Sequence, residues 1–138
     1  MTTTTDETRL RQHPARRFAA PEHLLDLHEA ISALRRESHR GVSGHRQKAL
    51  YRHGPVECII FLFEQDSELH DHVVNGGSIA IQVLEGSLAV KTPGSEYQLS
   101  AGGLLLLAPG VTHSVKASQP TSMLLTVHLD DPNLSPAE

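Results

Sequence analysis

The chain has 138 residues, 38% hydrophobic and 20% charged, with a formal net charge of −4. That length suits one domain, and the composition excludes wholesale disorder. No run of about 18 apolar residues is present to span a membrane. The single cysteine, Cys58, rules out an internal disulfide and a cysteine-built zinc site. There is no tryptophan and only 4% aromatic residue, which argues against a base-stacking surface and so against nucleic acid as a partner. The outlying figure is ten histidines, scattered rather than gathered as a terminal tag. Histidine is the side chain that most often binds metal and moves protons near neutral pH.

The threonine-rich start, Met1 to Asp6, lacks the basic, apolar and cleavage regions of a secretion signal. With the lone thiol, this predicts a cytoplasmic protein. Charge divides along the chain. Residues 1–54 carry a net +4 and residues 55–138 a net −8. A basic N-terminal arm packed on an acidic body, in the same chain or a second subunit, accounts for that split.

Residues 1–45 read as this arm, with a helix over about 21–38. Pro21 suits a first helical turn, and Leu24, Leu27, His28, Ile31 and Leu34 recur at three- and four-residue spacing. Acidic residues precede basic ones along it, and Gly41 and Gly44 stop it. From residue 46 to 130 the signals are those of strands. Val56–Phe63 and Leu104–Leu107 are apolar runs, and Ile79, Ile81, Val83, Leu88 and Val90 fall in alternating stretches. Met123–Leu129 closes the series, and residues 131–138 form a proline-broken tail. Glycine turns at short spacing, as at Glu85-Gly86, Gly102-Gly103 and Pro109-Gly110, predict a β-sandwich or small barrel.

The chemistry-bearing stretch is Leu69-His70-Asp71-His72. On a regular strand, His70 and His72 project to one face, with Cα atoms about 6.5–7 Å apart. Two imidazoles so placed can reach one ion at about 2.0–2.1 Å. His113, delivered by the Pro109-Gly110 turn, is the candidate third ligand.

These residues carry a resemblance to the cupins, in particular small single-domain, RmlC-like (cupin type 2) barrels. The cupin motifs read G-x5-H-x-H-x3,4-E-x6-G and G-x5-P-x-G-x2-H-x3-N. His70 and His72 match the H-x-H, Gly86 the closing glycine, and Gly102, Gly110 and His113 the second motif at its spacing. Glu64, Ala108 and Ala117 depart from it, and Ile79 stands where the metal-binding glutamate would be. The resemblance covers roughly residues 50–129. It implies a mainly β fold, a jelly-roll-like double-stranded β-helix of six to eight strands behind an N-terminal α-helix, with a metal at the open end and a homodimeric assembly.

Without the glutamate, the expected site is three neutral histidines, His70, His72 and His113, holding a divalent ion at its full charge. Imidazole suits iron, zinc, nickel and copper, with manganese a further option. Iron is the first choice, because three-histidine cupins include non-haem iron dioxygenases. The expected ligand is a small anionic or chelating molecule. The alternative is a non-catalytic ligand-binding or sensing module. A metal-free isomerase-like site, with the histidines as bases, lacks a partner acid.

Supporting roles fall to His128 if it faces inward, to Ser78 near the open end, and to Gln82, although its phase opposes that of Ile81 and Val83. His45 and His53 stand among Arg46, Lys48 and Arg52 on a charged edge strand and are assigned no chemistry. Glu64, Asp66, Glu68 and Asp71 read as a solvated turn. No P-loop, G-x-S-x-G elbow or dinucleotide fingerprint occurs.

Overall fold

The glycine-punctuated apolar runs fold as two antiparallel sheets. The structure, a computed structural model, describes residues 21–37, 44–72 and 76–129. The expectations for the start of the arm, Gly41 and the tail lie outside those residues. Among the described residues there are one helix, α1 (Leu27–Arg36), and nine strands. The strands are β1 (His45–His53), β2 (Val56–Phe63), β3 (Glu68–His72), β4 (Gly77–Glu85), β5 (Ser87–Thr92), β6 (Ser95–Ser100), β7 (Leu104–Leu107), β8 (His113–Ala117) and β9 (Thr121–Leu129). One sheet runs β1-β2-β9-β4-β7 and the other β3-β8-β5-β6. β1 and β3 are therefore edge strands of opposite sheets.

Alternation sets which residues fill the space between the sheets. Phe61, Phe63, Ile79, Ile81, Val83, Met123, Val127 and Leu107 come from the first sheet, and Leu88, Val90, Leu99, Val115 and Ala117 from the second. Ile81, Val83, Leu88 and Val90 are fully buried.

A second, smaller core lies on the outer face of the first sheet, where Ile31 and Leu34 of α1 cover Ile60. The helix is shorter than its periodicity predicts. Asp26 caps it, its carboxylate accepting from the Glu29 amide at 3.1 Å. That cap starts the helix at Leu27 rather than Pro21, and Leu24 stands outside it, 95% exposed. At the other end Arg46 donates to the carbonyls of Leu34, Arg35 and Glu37 at 2.8, 3.3 and 3.0 Å. These are among the orphan acceptors of a helix C-terminus, and a cation there also complements the helix dipole. Arg35 pairs with Glu85 at 2.7 Å, so one basic residue of the N-terminal half does meet the acidic body.

The helix packs chiefly on β1 and β2, with Leu84 of β4 and Leu124 of β9 at the margin of its cluster. On β7, Leu104 and Leu106 point outward and are 58% and 68% exposed. No helix among the described residues is long and apolar enough to cross a membrane.

Candidate functional site

The site is built where β8 meets β3. His113, Val115 and Ala117 point inward from β8, and His113 is only 7% exposed. His113 Nδ1 lies 3.2 Å from the Val111 carbonyl oxygen. A carbonyl only accepts, so Nδ1 carries a proton, and in the neutral ring the lone pair is on Nε2. Metal-ligating histidines commonly make such a hydrogen bond through their other ring nitrogen.

On β3 the phase departs from a regular strand. Leu69 opposes Val115 and His72 opposes His113. Two residues, His70 and Asp71, thus face the single Ser114, which is a β-bulge. Leu69 packs against the inter-sheet core, and burying it fixes the strand's phase. His70 must then point outward, and the bulge returns His72 to the inner face. The expectation that His70 and His72 project together is corrected on this ground. His70 lies in a shallow outer groove of about 230 Å³, its Nε2 2.6 Å from Glu68 Oε1. Glu68 also meets Lys116 at 3.6 Å, so this carboxylate belongs to a surface charge ladder.

His72 and His113 are brought together, with ring centroids 6.1 Å apart. His72 reaches solvent while His113 is buried, so the pair leads from the surface to the interior. Partial burial, then the proximity of His113 and of His45, hold the His72 imidazole below its ordinary value of 6.5. Such a ring is neutral at pH 7 and offers a lone pair.

The supporting residues expected from sequence lie elsewhere. His128 pairs with Val56 and Ser78 on the outer face and is exposed. Ser78 shares that outward position. Gln82 faces outward too, between Leu124 and Leu104, as its phase indicates.

The residue that sequence reading passed over is His45. It opposes Phe63 across the β1–β2 ladder and so shares its inward face. Its ring lies against Phe61 and Phe63 at 5.8 and 5.9 Å. The signal was the alternation along β1: the cations Arg46 and Lys48 take one face, and the uncharged His45, Gln47 and Ala49 take the other. Among the described residues no three of His, Cys, Asp and Glu stand together at metal-ligand spacing. What stands together is the His72–His113 pair, beside an apolar interior.

The two-sheet topology is that of a cupin fold, and structural comparison bears this out. An RmlC-like cupin from Shewanella frigidimarina NCIMB 400 superposes with a TM-score of 0.59 at 20% identity, over 67% of this chain and 82% of that one. A cupin-2 domain protein from the same organism gives 0.61 at 14% identity, over 75% and 92%. A conserved protein of unknown function from Streptococcus pyogenes gives 0.63 at 18% identity, over 83% and 95%. At these identities the likeness is one of fold. No protein-family model matches the sequence, and no curated protein matches it.

Proposed function

We propose that this cupin-fold protein binds a divalent metal ion through His72 and His113, iron foremost, and through that ion a small anionic or chelating ligand. The observation that carries the reading is the pair itself. The ring centroids lie 6.1 Å apart, and His113 turns Nδ1 toward the Val111 carbonyl, so that Nε2 is the nitrogen left for a ligand. Two imidazoles fit a borderline divalent cation, and an all-nitrogen set leaves its full charge to attract an anion. When bound, such an ion supplies Lewis acidity and open positions for the ligand. The chain's own contribution would be to hold the two imidazoles at the edge of the apolar inter-sheet core, which excludes water.

Binding is the function this donor set supports best, and oxidation of the ligand by oxygen is its enzymatic extension. The lone, half-buried Cys58 thiol suits a reducing compartment, and we assign the protein to the cytoplasm.

Elemental analysis of protein purified without chelator, together with iron and zinc titration, tests the reading. One ion per chain is expected, lost in His72→Ala and His113→Ala and kept in His70→Ala. A metal-free native protein that takes up neither ion would refute it. Oxygen uptake with diketones, thiols or hydroxy acids then separates enzyme from binding module, and no uptake with any of them assigns the module.

A further inference from the structure

Three of the four strands that end the sheets are guarded against pairing with another chain. β1 carries Arg46, Lys48 and Arg52, with a break in register between Ala49 and Tyr51. β3 carries Glu68, His70 and the bulge already described. β6 carries Glu96. Charges and bulges are how edge strands avoid unwanted partners. β7 has neither, and it pairs with β4 in unbroken register. From Tyr97 to Val115 the chain has no Asp, Glu, Lys or Arg, although 20% of all its residues are charged. β6 and β7 border one side of the sandwich, where Tyr97, Leu99, Leu104 and Leu105 help to line a shallow groove of about 480 Å³. Tyr97, Leu104 and Leu106 are three of the four large apolar side chains exposed among the described residues. Among those residues no strand pairs with the outer edge of β7.

That edge has a definite hydrogen-bonding phase. The Val83 amide donates to the Gly103 carbonyl at 3.1 Å, and β4 continues in that register through Ile81 opposite Leu105 and Ile79 opposite Leu107. Antiparallel ladder bonds alternate, so Leu105 and Leu107 bond to β4. The N–H and C=O groups of Leu104 and Leu106 then point away from it. A second copy of the chain meets this pattern. Two β7 strands running antiparallel about a two-fold axis at Leu105 set Leu104 opposite the partner's Leu106. Both residues aim their backbone groups across the axis, and both side chains lie on the outer face. Leu105 meets the partner's Leu105 on the inner face, beside the groove that Tyr97 borders. Residues 55–138 carry a net −8, so two copies approach best where the contact is uncharged. Pairing of like edges consumes both open edges and leaves only guarded ones, so assembly stops at two.

We infer that the protein forms a homodimer through β7, which joins two five-stranded sheets into one continuous sheet. Metal binding is not required for it.

Sedimentation of the full chain over a range of concentrations tests this. A reversible dimer is expected, lost in Leu104→Lys and in Leu106→Lys. Both side chains are exposed, so these variants keep the fold of the single chain. Leu24→Lys, on the helix side, should leave the dimer unchanged. In Cys58→Ser combined with Leu105→Cys, mild oxidation should join two chains, because residues in a non-hydrogen-bonded pair stand about 4.5 Å apart at Cα, within disulfide reach. The Leu104 and Leu106 amides should resist exchange in concentrated native protein and lose that protection on dilution, a readout free of any variant. A monomer at every concentration overturns the inference, and protected Leu104 and Leu106 amides in that monomer would put another segment of the chain on the edge. A dimer that survives both lysine variants, or is lost in Leu24→Lys, overturns it by placing the contact elsewhere. A mass that keeps growing with concentration overturns the closed pairing. A dimer that Leu105→Cys cannot cross-link overturns the two-fold axis at Leu105 and the inference with it.

Discussion

Gly86 and Gly102 have nearly the same backbone, with φ of 94° and 92°, but opposite surroundings. An alanine at either position takes a φ that L-residues avoid, at a cost of about 1–3 kcal/mol. At Gly102 the new Cβ meets nothing within 4 Å. At Gly86 it would fall on the Thr121 hydroxyl, 2.5 Å from the Pro120 carbonyl oxygen and 2.8 Å from Thr121 Cα. Thr121 cannot yield cheaply, because its hydroxyl accepts from the Ser87 amide at 3.0 Å and donates to the Gln119 carbonyl at 2.8 Å. Overpacking adds about 1–3 kcal/mol. Gly102→Ala should thus cost about 1–3 kcal/mol and Gly86→Ala about 2–6 kcal/mol, against a typical domain stability of about 5–15 kcal/mol. Urea unfolding at equal slope reads the difference. At a slope of about 1.5 kcal/mol/M the two midpoints should separate by about 0.7–2 M. Coincident midpoints would refute the argument, showing that φ alone sets the cost at both turns.

Ile60→Ala should cost about 2–5 kcal/mol, because Ile60 is fully buried beneath Ile31 and Leu34; a loss under 1 kcal/mol would mean that α1 does not hold to the sheet as described. Arg46→Met should lower stability by about 1–3 kcal/mol and speed amide exchange in α1, since three helix-end carbonyls lose their donor; unchanged exchange counts against the cap. The His72 imidazole titrates below 6.5 in the fold and near 6.5 when unfolded. Between those values the unfolded chain binds the extra proton, so this group makes stability rise with pH and fall as pH drops below 6.5. His72→Gln should flatten unfolding midpoints against pH in that window, and an unchanged slope would assign it to other groups.

Much of the barrel was legible because burial on one or both faces writes itself into residue order. Val56–Phe63 and Leu104–Leu107 are apolar runs ended by turn residues, and β2 and β7 have those bounds. The start of α1 was not, because Pro21 and Leu24 imitate helix periodicity while the Asp26 cap decides the first turn. His113 was found by its place after a turn. The fate of His70 was hidden, since alternation predicts one face for residues two apart and nothing in the sequence marks a bulge. Which residue took the inner position was decided by Leu69, whose burial is a tertiary fact. His45 was masked by the cations beside it, which gave β1 the look of a purely solvent-facing edge.

The bulge in β3 makes donor number a matter of position rather than identity. One surplus residue between Leu69 and His72 puts Leu69 and His72 inside and His70 outside. The same surplus lodged before Leu69 would put both histidines inside and Leu69 outside, with no residue changed. Two chains with the same H-x-H can therefore present one inward imidazole or two, according to where along the strand the bulge sits. Comparisons that score only which residues are aligned will miss it.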